Sequence, residues 1–139
     1  MKYEFWKEGI FAEKLLSKIS VNKPLMFDTE TIGLYGRIRL AQFYQDTFDV
    51  PILVEYPDVY ELIQVLNQCI VVCHSTSYDI STIQEALGKV QWQPKELEDT
   101  FLLSRLKFYG ESKFSFNKCV EYALGHDPYN DLPDTKKTA

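Results

Sequence analysis

The sequence has few of the residues that build zinc sites or disulfide frameworks, and it lacks long apolar runs. Its 139 residues include three cysteines and two histidines, with no C-x-x-C pair. An odd number of cysteines in or beside apolar segments indicates buried free thiols and argues against zinc. No apolar run approaches about twenty residues and no signal peptide is recognisable. These absences argue against a membrane or secreted protein and predict a cytoplasmic location.

Positive charge is also in short supply. Fifteen Lys and Arg residues stand against twenty Asp and Glu, so the formal net charge is −5. Such a chain is a poor candidate for holding duplex nucleic acid through a broad basic surface. A nuclease is not excluded, because divalent ions and a few stacking side chains can hold a single strand end. The length predicts one domain over residues 1–139.

The hydrophobic periodicity predicts an α/β fold with a mixed sheet, because helical and strand-like segments alternate. Asp58 is the expected N-cap of the second helix. The predicted segments are a helix over 4–19, strands over 25–30, 37–45 and 47–55, the helix opened by Asp58, a strand over 69–74, and helices over 77–88, 96–108 and 115–124.

Two acidic residues close the first buried strand. Asp28 and Glu30 follow the apolar run Leu25-Met26-Phe27, two positions apart. Side chains alternate along a strand, so both carboxylates should leave the same face. Like charges this close are costly unless a cation neutralises them, and all-oxygen ligands suit Mg²⁺ or Mn²⁺. An exposed turn without metal is the competing interpretation.

Further acidic residues follow at the starts of predicted helices. His74 ends an apolar run and Asp79 comes five residues later, while Asp99-Thr100 precedes another apolar segment. Asp79 would be favoured in a first helical turn by the helix dipole, and Asp99 could simply be a cap. Alone, neither indicates chemistry.

Together these strings resemble the DEDD exonuclease superfamily, which includes DnaQ-type proofreading nucleases, RNase T, RNase D and the proofreading domain of DNA polymerase I. The run D-T-E-T-I-G-L from Asp28 to Leu34 resembles its first motif. The run from His74 to Asp79 resembles its second, where asparagine is usual in place of Ser75. The resemblance covers residues 24–139 and implies a ribonuclease H-like mixed sheet flanked by helices.

The same resemblance implies the site. Asp28, Glu30 and Asp79 would be catalytic residues and metal ligands for two Mg²⁺ or Mn²⁺ ions. Leu34, Ser75 and Tyr78 would contact the substrate. The C-terminal segment supplies the remaining site residues that the resemblance implies.

Two interpretations of the fourth ligand remain open. Tyr129 to Ala139 fits the frame H-x-x-x-x-D-x-x-x-T-A with tyrosine in the histidine's place, so that Asp134 is the ligand and Tyr129 the base. His126 is the alternative base, since its pKa suits neutral pH. Pro133 fits a helix interior poorly, and a solvated acidic turn is a competing interpretation.

The second interpretation follows RNase D and the polymerase I domain. The stretch over 37–42 resembles their hairpin, and their Y-x-x-x-D motif would then lie beyond Ala139. On this interpretation the chain is truncated at its C-terminus or has a naturally incomplete site.

The predicted activity is 3′–5′ hydrolysis of phosphodiester bonds in single-stranded DNA or RNA. Its partners would be single-stranded 3′ ends and, as a further candidate, a polymerase or another protein. The alternative is a catalytically silent or incomplete domain of the same fold that binds nucleic acid or protein.

Overall fold

A computed structural model describes residues 2–92 and 94–126 of the chain. The chain separates into two compact units, one over Met1–Glu98 and the other from Asp99 onward. Each unit has its own packing. The single domain expected for the whole chain stays a prediction.

The first unit is built on a mixed sheet. The sheet has six strands in the order β1-β4-β3-β2-β5-β6, with β2 pairing antiparallel to β3 and parallel to β5. β2 is therefore an interior strand, and this strand carries the first acidic motif. The strands are β1 (Glu4–Trp6), β2 (Pro24–Thr31), β3 (Ile38–Tyr44), β4 (Ile52–Glu55), β5 (Ile70–Cys73) and β6 (Glu96–Asp99).

Five helices accompany these strands in the described residues. They are α1 (Ala12–Leu16), α2 (Val59–Leu66) and α3 (Thr76–Leu87) in the first unit, and α4 (Thr100–Lys107) and α5 (Phe116–Leu124) in the second. Asp58 caps α2 as predicted, accepting hydrogen bonds from the amides of Tyr60 and Glu61 at 2.9 and 3.1 Å. None of the described helices has the length and apolar character that crossing a membrane requires.

One face of the sheet forms the core of the first unit. Alternate residues of β2, starting with Leu25 and Phe27, are buried there and pack with side chains of the three helices. The intervening residues Asp28 and Glu30 leave the opposite face, where they are exposed. The main core contributors are Phe11, Leu15, Leu25, Phe27, Ala41, Phe43, Ile52, Val54, Leu62, Leu66, Val71, Ile83 and Leu87.

Three segment predictions were wrong. The strand expected over 47–55 begins only at Ile52, because residues 45–51 form the turn that connects β3 to β4. The helix expected over 4–19 is replaced by β1 and the short α1, because Glu4, Phe5 and Trp6 pair in parallel with β4. Pairing with a distant strand overrode the local periodicity. The helix expected over 96–108 begins only at Thr100, since its first four residues form β6.

Candidate active site

The central strand presents two carboxylates to solvent. Asp28 and Glu30 lie on the same face of β2, as the period of two predicts, and Thr29 between them is only 5% exposed on the core face. The two acidic side chains thus leave β2 from the face opposite to the buried side chains of Leu25 and Phe27. This arrangement needs only the alternation of a regular strand.

A β-bulge places a basic residue beside them. Glu30 is opposite Leu40, but the next residue, Thr31, is opposite Ile38, so Arg39 is the extra residue of the bulge. Arg39 donates from Nη2 to Oε2 of Glu30 over 2.9 Å. Ile38 and Ala41 are both buried although they are three apart, which leaves Arg39 on the exposed face with Glu30.

The second carboxylate, Asp28, is held by the same neighbouring strand. Gln42, its cross-strand partner, donates from Nε2 to Oδ2 of Asp28 over 3.2 Å. Partial burial of the carboxyl raises the pKa of Asp28 above its usual 3.8. The charge of Glu30 also raises that pKa, while the Thr29 amide and His74 act in the opposite direction. The electrostatic repulsion between Asp28 and Glu30 is therefore partly offset but not removed.

Asp79 is bound to the core side of β2. It is 1% exposed, and its Oδ1 accepts two hydrogen bonds from Thr29, from Oγ1 over 2.6 Å and from the backbone amide over 3.1 Å. Tyr78 beside it shares a 2.6 Å hydrogen bond between its hydroxyl and Oγ1 of Thr31. Two consecutive residues of α3 are thus tied to the two threonines that alternate with Asp28 and Glu30.

Asp28, Glu30 and Asp79 each have their own hydrogen-bond partner. Within residues 2–92 and 94–126, no group of three His, Cys, Asp or Glu side chains is arranged to hold a metal ion. Thr29 binds the Asp79 carboxyl through its hydroxyl and its backbone amide, whereas Asp28 and Glu30 are bound by Gln42 and Arg39 of β3. Their role as metal ligands stays a prediction.

The backbone conformation at Ser75 explains why asparagine is usual at this position of the second motif. This residue precedes α3 and has left-handed angles, φ 66° and ψ 71°. Few residues other than glycine adopt this conformation readily, and asparagine is one of them. The asparagine usual at this position in the superfamily is therefore favoured by the local backbone.

The loop after β2 carries the other predicted substrate contact. Leu34 is 78% exposed, and its neighbour Tyr35 stacks on Tyr78 with 5.3 Å between ring centroids. The loop is tightly folded, because a Cβ on Gly36 would collide with the carbonyl oxygen of Ile32. Leu34 therefore stands out from a well-packed turn.

The remaining predicted residues lie in the second unit or outside the described residues. Asp99 caps α4, accepting from the amide of Phe101 over 2.8 Å, which matches the simple interpretation given for it. His126 is exposed just after α5. Tyr129 and Asp134 lie outside the described residues.

The sequence interpretation missed Thr29, Arg39 and Gln42. Thr29 could have been identified, since its place between two outward carboxylates predicts an inward hydroxyl. Gln42 and Arg39 could not, because their contacts depend on strand register and on the bulge. The position of the main cleft does not identify the acidic pair either. A cleft of about 990 Å³, lined by residues that include Arg37 and Tyr60, does not contain Asp28 or Glu30.

The fold of this chain has counterparts among solved structures. Escherichia coli RNase D, described as an exoribonuclease involved in structured RNA processing, has a TM-score of 0.70 at 20% identity over 91% of this chain and 34% of its own. Brucella melitensis NrnC bound to pGG gives 0.69 at 16% identity over 90% and 62%. The Aedes aegypti Nibbler EXO domain gives 0.68 at 18% over 90% and 69%. No protein-family model and no curated protein sequence matches the chain.

The chain therefore has the ribonuclease H-like fold of these exonuclease structures, which confirms the predicted fold class and the DEDD resemblance at the level of the fold. It spans about a third of the E. coli RNase D chain and 62% of the NrnC chain. At these identities the likeness is one of architecture.

Replacing Thr29 by valine tests the contact that fixes α3 to β2. Thr29→Val removes one of two hydrogen bonds to the buried Asp79 carboxyl, so we expect the free energy of unfolding to fall by about 2–3 kcal/mol. Urea denaturation measures the change. Thr29→Ser keeps the hydroxyl and should lose clearly less; equal losses in the two variants would contradict the role of this bond.

Because the pKa of Asp28 is raised, removing its charge should stabilise the folded protein, and the size of this effect should depend on pH. A carboxyl whose pKa rises on folding lowers native stability as pH rises from the unfolded value through the folded one. Asp28→Asn should therefore raise the melting temperature in EDTA near neutral pH, and the gain should vanish as pH falls below 3.8. Thermal unfolding across this range measures it, with the exposed Asp49→Asn as charge control. A gain of equal size in both variants would refute the explanation.

Proposed function

We propose that this chain is a metal-dependent 3′–5′ exonuclease acting on single-stranded RNA or DNA. The observation that carries the proposal is the pair Asp28 and Glu30, exposed on one face of the central strand. The fold shared with RNase D and the Nibbler EXO domain supports it. E. coli RNase D is an exoribonuclease and NrnC is bound to pGG, which favours nucleic acid as the substrate class here.

The residues present fit a divalent metal ion. Mg²⁺ is commonly held by one or two carboxylates together with water and substrate phosphates. Asp28 and Glu30 therefore supply enough protein ligands for one such ion. The raised pKa of Asp28 reflects in part the charge of Glu30. A cation would relieve that repulsion. We infer that these two side chains hold Mg²⁺ or Mn²⁺.

Asp79 is our proposed third ligand. Its carboxyl lies 3.1 Å from the amide nitrogen that joins Thr29 to Asp28, so it is next to the strand at the position of the acidic pair. The fourth ligand is Asp134 or an aspartate beyond Ala139.

Bound divalent ions would supply an activated water and stabilise the leaving 3′ oxygen. The chain itself positions the strand end. Leu34, exposed on the loop after β2, would contact the terminal base, and Tyr78 and Ser75 at the start of α3 would flank it. Tyr129 or His126 would take the proton from the water.

A silent nucleic-acid- or protein-binding domain is the second candidate function. It is favoured by the fact that Glu30 is paired with Arg39 and Asp79 with Thr29, so that the described residues contain no three-carboxylate group. A polymerase partner and a cytoplasmic location stay predictions from the sequence.

The nuclease proposal predicts that a 5′-labelled single-stranded oligonucleotide is shortened from its 3′ end in Mn²⁺ and not in EDTA. Asp28→Asn should slow the reaction about a thousandfold, since metal-ion stabilisation of the transition state is worth several kcal/mol. Denaturing gels measure the rates, and Asp49→Asn should cleave at the wild-type rate. Binding of the oligonucleotide without shortening would favour the silent domain instead.

A further inference from the structure

Arg39 owes its position to the bulge between β2 and β3. The bulge inserts one residue opposite the junction of Glu30 and Thr31, and this residue is Arg39. In a regular strand, the side chains of Arg39 and Leu40 would point to opposite faces of the sheet. Here both Arg39 and Leu40 lie between two buried positions, and Arg39 reaches Glu30 at 2.9 Å.

The Arg39–Glu30 pair is open to solvent. The two side chains are 58% and 47% exposed. An exposed ion pair of this kind contributes little to stability, so exchanging one partner for another is energetically easy. Glu30 is at the same time one of the two carboxylates that would receive a divalent ion. The Glu30 carboxylate, whose Oε2 contacts Arg39, would then have two competing cationic partners, the guanidinium and the metal.

Two other cations of the first unit have different partners. Arg37, two residues earlier, pairs with Glu8 at 3.5 Å and lies over the ring of Tyr56 at 4.4 Å. Lys23 pairs with Asp46 at 3.3 Å. In the ion pairs formed by the described residues, Arg39 is thus the cation that contacts a candidate metal ligand.

We propose that Arg39 holds Glu30 in the metal-free protein and binds a backbone phosphate of single-stranded nucleic acid once Glu30 binds a divalent ion. The proposal rests on the proposed nuclease site. Its ligand is a phosphodiester, because a guanidinium stays charged at all working pH values and its planar fork matches two phosphate oxygens. In an acidic chain, such a side chain beside the carboxylates offers an incoming phosphate a local positive contact.

Two consequences have opposite signs. Removing the guanidinium removes a competitor for Glu30, so metal ions should bind more tightly. The same change removes a phosphate contact, so nucleic acid should bind more weakly. A purely structural role, in which Arg39 only stabilises the hairpin, would not produce an increase in metal affinity together with a loss of nucleic-acid affinity.

The test compares Arg39→Gln with Arg37→Gln, which removes the same charge two residues away. Calorimetry measures Mn²⁺ binding to the full chain, and fluorescence anisotropy measures binding of a labelled ten-nucleotide oligouridylate in saturating Ca²⁺. We expect Arg39→Gln to bind Mn²⁺ about 2–5-fold more tightly, as loss of an exposed pair implies. Its oligouridylate affinity should fall about tenfold, since a charge-assisted bond is lost. Arg37→Gln should leave both affinities within about twofold of wild type.

Arg39→Lys separates charge from geometry. Lysine keeps the positive charge but not the fork, so Mn²⁺ affinity should stay near wild type while oligouridylate affinity is intermediate. Arg39→Gln and Arg37→Gln with the same Mn²⁺ affinity, or with the same oligouridylate affinity, would overturn the proposal for Arg39.

The controls also separate this proposal from the one on which it rests. If wild type binds Mn²⁺ and Asp28→Asn does not, the metal site stands, and only the comparison of the two arginine variants decides the role of Arg39. If Asp28→Asn binds Mn²⁺ as wild type does, the metal site is refuted and the proposal for Arg39 is refuted with it.

Discussion

The site depends above all on the pair of hydrogen bonds that Thr29 donates to Asp79. The parallel pairing of β5 with β2 ends at Met26 and Val72, and beyond that point α3 takes over as the neighbour of the strand. The Thr29 amide would otherwise lack a partner on that side, and the buried Asp79 carboxyl supplies one at 3.1 Å. The Thr29 hydroxyl adds a second bond at 2.6 Å. One carboxyl thereby fixes the start of α3 and the end of β2.

The side chains of β2 alternate between the two faces up to Thr31. Threonines occupy the inward positions and are bound by α3, so the outward positions between them remain available for acidic residues. The sequence Thr29-Glu30-Thr31 therefore places two threonines that bind α3 on either side of a candidate metal ligand. The neighbouring β3 contributes Gln42 to Asp28 and, through the bulge, Arg39 to Glu30. The two like charges of Asp28 and Glu30 are thus each bound by a polar side chain of β3.

Much of this arrangement follows from local sequence. The alternation of β2 and the Asp58 cap follow from short-range patterns, which the structure confirms. Elements that depend on distant partners do not: β1 forms because Glu4–Trp6 pairs with β4, and Arg39 meets Glu30 because the register shifts. The acidic spacing predicts a common site for three carboxylates, which stays a prediction, and spacing does not specify the threonine that binds Asp79. Tyr129 and Asp134 lie outside the described residues.

The central claim is that Asp28 and Glu30 together bind a divalent metal ion. The most direct measurement is a crystal soaked in Mn²⁺, with the ion located by its anomalous scattering. We expect a peak on the exposed face of β2, within about 2.0–2.3 Å of a carboxylate oxygen of each residue, as for a hard cation bound by oxygen. In the same crystal, Arg39 should no longer contact Glu30. Strong Mn²⁺ peaks elsewhere with none between Asp28 and Glu30 would contradict the account.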